Sequence, residues 1–175
     1  GWVAKKIITL DKSSLQDNTL AINSLRREFR IPKQRCVADG DGVGGFAIDA
    51  TGIKSFKNNG KVIKVNKETP NYKNLQVQCL YRLADKINEG VLHIEEEGID
   101  TSSTKINKKE IMIYIKQELA QIQSVPNKRD ADKLDCKMKS DIKIDLGRSP
   151  DFRDALMMRM WFDLRKPVAL ETTWN

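Results

Sequence analysis

Histidine is nearly absent from this 175-residue sequence. The single residue, His93, lies in the apolar run Val91-Leu92-His93-Ile94, where a packed strand histidine is expected and acid–base chemistry built on histidine has little to work with. Cysteine is also scarce. Cys36, Cys79 and Cys136 are odd in number, far apart and never in a C-x-x-C pair, which argues against a disulfide framework or a zinc site and leaves buried or idle thiols as the expectation. No stretch approaches the roughly 20 apolar residues of a membrane span, and Gly1-Trp2-Val3-Ala4-Lys5-Lys6 lacks the apolar core of a signal peptide. The protein is therefore read as cytoplasmic. No G-x-x-x-x-G-K-[ST] loop occurs either: Gly60-Lys61 is followed by Val62 and lacks the earlier glycine, so an ATPase motor is not encoded in this stretch.

What is present suits one compact domain. The length is that of a single unit able to bury its own core. Hydrophobic residues make up 39% and charged residues 31%, the mixture of a folded chain rather than a disordered one. The net charge is +7 and the isoelectric point is near 9.3, with lysines gathered at 105–109 and 137–143. Such a balance suits a polyanion held through phosphate neutralisation. Charge alone does not separate that surface from a merely solvated one.

The order of elements predicts an α/β domain. Trp2 to Leu10 reads as a strand, and Ser13-Ser14-Leu15-Gln16-Asp17 offers a capping box to a helix with Leu15, Ile22, Leu25 and Phe29 on one face. Pro32 stops that helix, Arg35 to Asp39 reads as a short buried strand, and a glycine-rich turn follows. Gly45 to Thr51 is expected to be helical, Asn58-Asn59-Gly60 a turn and Lys61 to Val65 another strand. Tyr72, Leu75, Cys79, Leu80, Leu83 and Ile87 recur at helical spacing up to a cap at Gly90, after which Val91 to Ile94 re-enters the sheet. Glu95 to Asn107 reads as a loop, and Lys108 to about Gln123 as a helix with the stripe Ile111, Ile115, Leu119, Ile122. Residues 124–136 are dense in charge and turn formers, suiting a hairpin or a mobile excursion. Ser149-Pro150-Asp151 opens a last helix.

Two constellations could carry chemistry. Asp39-Gly40-Asp41-Gly42-Val43-Gly44-Gly45 puts carboxylates at a strand end beside a turn of minimal bulk, where metal and ligand sites gather. It could equally be a tight turn shaped by its glycines. It also satisfies G-x-G-x-x-G across Gly40, Gly42 and Gly45, although the ribose-binding acid expected about twenty residues later has only Glu68, in a turn, as a candidate. An EF-hand is excluded, since Val43 and Ala50 occupy positions that require oxygen ligands. In the second constellation Asp151 and Asp154 share one helical face. Complementing the helix dipole accounts for Asp151, and a salt bridge with Arg153 or Arg159 for Asp154. Asp154 interrupts an otherwise apolar stretch, so it needs a cationic partner or a metal.

Arg35-Cys36-Val37-Ala38-Asp39-Gly40-Asp41-Gly42-Val43-Gly44-Gly45, Tyr72 to Cys79, Leu146-Gly147-Arg148-Ser149-Pro150-Asp151 and Asp154-Ala155-Leu156 together resemble the nuclease domain of phage terminase large subunits. The match runs from about Trp2 to Met160. The resemblance implies an RNase H-like mixed β-sheet flanked by helices over 1–164, with 165–175 as a tail, acting as a metal-dependent endonuclease on double-stranded DNA during genome packaging. It further implies two divalent ions, Mg²⁺ or Mn²⁺, held by Asp39 and Asp154 with Asp151 as accessory. Lys139, Lys143 and Arg148 become candidates for DNA phosphate, and Gly42, Gly44 and Gly45 for a structural glycine loop. Partners would be an ATPase domain, a portal and a small terminase subunit, in a phage-infected or prophage-bearing bacterial host. The family's first acidic ligand lies on a strand upstream of the stretch resembling Trp2 to Leu10, so the sheet is expected to lack its first strand or strands, and weak or no cleavage by this chain alone is the corresponding expectation. A nucleotide-binding enzyme of Rossmann type using Gly40–Gly45 and a non-catalytic basic DNA-binding module remain the alternatives.

Overall fold

A computed structural model describes residues 1–11, 13–41, 44–127 and 130–165. The tail expected over 165–175 therefore lies outside the described residues from 166 onward, as do Gly42 and Val43. The stretch read as one strand, Trp2 to Leu10, is two short strands, β1 (Trp2–Ala4) and β2 (Ile7–Ile8), broken at Lys5 and Lys6. Helix α1 (Leu15–Glu28) begins at the expected capping box: the Ser14 side chain accepts from the Asp17 N–H, and the Asp17 carboxylate accepts from the Ser14 N–H. Strand β3 (Val37–Asp39) is followed by α2 (Gly44–Thr51) and then by β4 (Lys54–Phe56), which pairs in parallel with β3. This βαβ unit contains a strand, β4, that the sequence reading passed over. Its three residues Lys54-Ser55-Phe56 have a single large apolar member, too little pattern to register.

Helix α3 (Leu75–Asn88) is capped by the Asn74 side chain at its start and followed by Gly90 at φ +66°, the left-handed geometry expected of a glycine stop. Strand β5 (Leu92–Ile94) then pairs in parallel with β1. His93 sits opposite Val3 on the outer face and is exposed, so the expectation of a packed histidine fails although the strand is present. The region 95–107 is not all loop, because β6 (Ile99–Asp100) pairs in parallel with β2. Helix α4 (Lys108–Leu119) is followed by the antiparallel pair β7 (Ser124–Val125) and β8 (Asp135–Cys136), which is the hairpin alternative for 124–136. Helices α5 (Lys139–Leu146) and α6 (Asp151–Leu164) close the described chain. Parallel pairs with helical crossovers and one antiparallel pair make the mixed α/β class expected.

Lys61 to Val65 does not join a sheet through a strand ladder. The buried Gln78 of α3 takes that part, accepting from the Ile63 N–H at 2.7 Å and donating to the Ile63 carbonyl at 2.8 Å. The main core lies between α3 and α6, where Leu75, Val77, Cys79, Leu80 and Leu83 meet Met157, Met160, Trp161 and the fully buried Phe56 of β4. A smaller cluster of Ile99, Ile111 and Ile115 joins it through Phe152 and Leu156 of α6. Each fully buried side chain of this size contributes about 1.5–3 kcal/mol, so α6 is held on both sides. Cys79 and Cys136 are buried free thiols, as expected; burial pushes Cys79 up to about 12 and is the main cause that takes Cys136 to about 11.

Candidate functional site

Asp39 is the last residue of β3. Its Oδ1 accepts from the Asp41 N–H at 3.0 Å and from Asn58 Nδ2 at 3.2 Å, while Asp41 Oδ2 accepts from the Asn58 N–H at 2.7 Å and from Asn58 Nδ2 at 3.2 Å. Asn58, just past the end of β4, thus fixes both carboxylates. In the sequence Asn58 reads as a turn former, and nothing local marks its second role, because the strand before it carries too little pattern to register. The close packing at this end comes from Gly40: a Cβ there would lie 2.0 Å from Ser55 Oγ and 3.0 Å from the Phe56 carbonyl oxygen. An added Cβ at Gly45 would meet nothing within 4 Å. Gly44 opens α2, and Gly42 lies outside the described residues.

The second group of candidate residues lies in the first turn of α6. Lys139, the first residue of α5, places its Nζ 2.6 Å from Asp154 Oδ2 and 3.6 Å from Asp151 Oδ1. Arg153, 1% exposed, donates from Nε and Nη2 to Asp154 Oδ1 at 3.0 and 2.7 Å. Asp154 thus has the cationic partners its position demands, and one of them, Lys139, links it to Asp151. Burial works against the Lys139 charge, but the hydrogen bond to Asp154 and the charges of Asp154 and Asp151 outweigh it and raise its pKa. Arg159, the other arginine considered for Asp154, instead lies 4.2 Å over the Trp2 ring.

Helix α6 packs on β3, the element-level contact that a site shared by Asp39 and Asp154 requires. Lys143 is exposed on α5. Arg148 is engaged elsewhere: its guanidinium donates to Glu118, to Gln117 Oε1 at 3.0 Å and to the Tyr114 carbonyl at 3.3 Å, and lies 4.0 Å over the Tyr114 ring. Glu118, 1% exposed, also went unnoticed in the sequence. Its signal is an acid placed three residues after Ile115 and seven after Ile111, on the buried stripe of α4.

Neither a protein-family model nor a curated protein sequence matches the chain. Solved structures do. The nuclease domain of the large terminase subunit of bacterial virus Sf6, as a lysine-to-alanine variant with manganese, matches with a TM-score of 0.66 at 24% identity, covering 95% of this chain and 80% of that one. The fold is that of a terminase nuclease domain. The same Sf6 domain with calcium matches with a TM-score of 0.65 at 24% identity, over 95% of this chain and 79% of that one. A third structure of the Sf6 nuclease domain gives 0.65 at 24% identity, over 96% and 80%. The RNase H-like class expected of the sequence is thus the class observed. Carboxylates are hard oxygen donors suited to divalent ions, so Asp39 and Asp154 fit such an ion in kind. Among the described residues no three Asp, Glu, His or Cys gather as a group able to hold a metal by themselves.

Proposed function

We propose that this chain is the nuclease domain of a phage terminase large subunit, an endonuclease dependent on two divalent ions, Mg²⁺ or Mn²⁺, that hydrolyses phosphodiester bonds of double-stranded DNA during genome packaging. The observation that carries the reading is the grouping of Asp151, Asp154 and Lys139 at the head of a helix packed on the strand that ends in Asp39. Asp39 and Asp154 are the residues that would hold the ions, with Asp151 as accessory. Mg²⁺ commonly takes one or two carboxylates and completes its shell with substrate phosphate and water, which suits a pair of carboxylates better than an all-protein cage would. When bound, such ions supply activation of the attacking water and stabilisation of the leaving oxygen.

The chain's own residues do the rest. Lys139, already drawn to both carboxylates in the first turn of α6, can offer its charge to a scissile phosphate, and the exposed Lys143 on the same helix as Lys139 can hold a neighbouring one. Arg148 is less free for DNA, since Glu118, Gln117 and Tyr114 occupy it. In the whole protein the domain would work in the cytoplasm of the bacterial host with its own ATPase domain, a portal and a small terminase subunit. The dinucleotide reading is less favoured on charge. Asp39 and Asp41 stand at the end of β3, where a pyrophosphate would have to approach, and Asn58 rather than an acid follows β4.

A melting series with plasmid cleavage tests the proposal. Mn²⁺ should raise the melting temperature of the wild-type chain, NAD should leave it unchanged, and supercoiled plasmid should be nicked only slowly in Mn²⁺ by the wild type and not at all by Asp39→Asn or Asp154→Asn. Stabilisation by DNA alone, with no response to Mn²⁺ and no cutting, would instead indicate a non-catalytic DNA-binding module.

A further inference from the structure

We infer that Glu118, on a different helix from the candidate metal-binding carboxylates, is a positioning residue that sets the head of α6 and so the direction of Asp154. Its consequence for catalysis rests on the nuclease reading, while its geometric content does not. Helix α6 starts after Pro150, which supplies no capping side chain, and a helix start leaves its first backbone N–H groups without intrahelical partners. Glu118 supplies the missing acceptor from α4. Its Oε2 accepts from the Arg153 N–H at 3.0 Å, and the neighbouring Phe152 N–H also favours its charged form. A negative charge at this end also complements the helix dipole.

The other carboxylate oxygen of Glu118 receives the Arg148 guanidinium, which is itself fixed to Tyr114, one turn earlier on α4, and to the adjacent Gln117. The segment Gly147-Arg148-Ser149-Pro150 and the first turn of α6 are therefore fastened to a single stretch of α4, from Tyr114 to Glu118. The same first turn carries Asp151, Arg153 and Asp154. Arg153 extends the chain of contacts: its backbone N–H is held by Glu118 while its side chain grips Asp154. A carboxyl group at 1% exposure, paired with an arginine, is an expensive way to fill a helix interface, where apolar residues of similar volume often serve stability as well or better. Its presence is accounted for by what it orients.

The test uses Glu118→Gln and Glu118→Ala, compared at a temperature well below the melting point of each variant, with two readouts. The first is amide hydrogen exchange. The Phe152 and Arg153 amides should be protected in the wild type despite lying in a first turn, should exchange at least about tenfold faster in Glu118→Ala, and should be intermediate in Glu118→Gln, which keeps an acceptor oxygen but loses the ion pair. The second is Mn²⁺ affinity by direct titration, which should weaken by about tenfold or more in Glu118→Ala, the range seen when a residue supporting a metal ligand is removed. If Glu118→Ala fails to fold, Glu118→Gln carries both readouts. Unchanged exchange at Phe152 and Arg153 overturns the inference, whatever the metal does. Faster exchange with unchanged Mn²⁺ affinity overturns its link to Asp154 and reduces Glu118 to a structural cap. A wild type that never binds Mn²⁺ would sink the nuclease reading alone, and the exchange data would still decide the placement of α6.

Discussion

The two walls proposed for the site are built on different principles. At the end of β3, the donors that hold Asp39 and Asp41 among the described residues are neutral, the backbone N–H of Asp41 and the backbone and side-chain amide of Asn58. At the head of α6, Asp154 is held by two full positive charges, one of them an almost completely buried arginine. The first wall keeps its negative charge available to an incoming cation and depends on close backbone approach for its shape. The second is balanced within the protein and depends on a network reaching from α4 through α5. A site of this kind joins a rigid backbone feature to an electrostatically set one, and the two should fail in different ways.

The largest effect should come from breaking the charged wall. Arg153→Leu leaves Asp154 beside buried surface with only Lys139, and loss of one member of a buried pair costs about 3–5 kcal/mol; urea unfolding should show a midpoint lowered accordingly, and an unchanged midpoint would mean that the clamp is not formed. Breaking the backbone wall should cost less. Gly40→Ala forces a Cβ into Ser55 and Phe56, an overpacking expected to cost about 1–3 kcal/mol, whereas Gly45→Ala, with open space around it, should be neutral or mildly stabilising within α2. Equal losses at the two glycines would remove the distinction drawn between them. Asn58→Ala should cost about 1 kcal/mol for its lost side-chain hydrogen bonds, measured by the same unfolding, and should weaken Mn²⁺ binding without disturbing exchange at Phe152 and Arg153.

The smallest effect is in pH. Burial pushes the Glu118 carboxyl up, and the Arg153 N–H and Arg148 pull it only part of the way back, so its folded pKa stays above the ordinary value of 4.5. The folded state therefore holds this proton more tightly than the unfolded chain, and Glu118 should make stability fall as pH rises from 4.5 through the raised value. Glu118→Gln should flatten that part of a stability–pH curve. A curve of the same shape in both proteins would show that Glu118 titrates alike folded and unfolded.

What the sequence made legible follows from how each element signals itself. Helices α1 and α3 announced their starts, stripes or stops through Ser14 and Asp17, the Leu75–Ile87 periodicity and Gly90, because capping and amphipathic packing need only neighbours in sequence. Strands β4 and β6 did not, since two or three residues cannot display a period and their assignment depends on partners at β3 and β2. Helix α5 went unread for a related reason: it has one buried residue, Ile142, and so no apolar stripe. Asp39 and Asp154 could be picked out as acids in unusual company. The groups that hold them, Asn58, Arg153 and Glu118, are ordinary residue types whose role exists only once distant segments meet.

Gln78 carries a consequence for the stretch from Lys61 to Val65. A primary amide presents a donor and an acceptor in a fixed order, and along an extended chain the N–H and C=O of one residue point to the same side while those of the next point away. By engaging both groups of Ile63, Gln78 acts as a register pin. A slip of one residue would turn the matching groups away, and a slip of two would seat Lys61 or Val65 in the place of Ile63, whose side chain packs against the main core. The alignment that a sheet sets through a whole ladder is set here by one side chain.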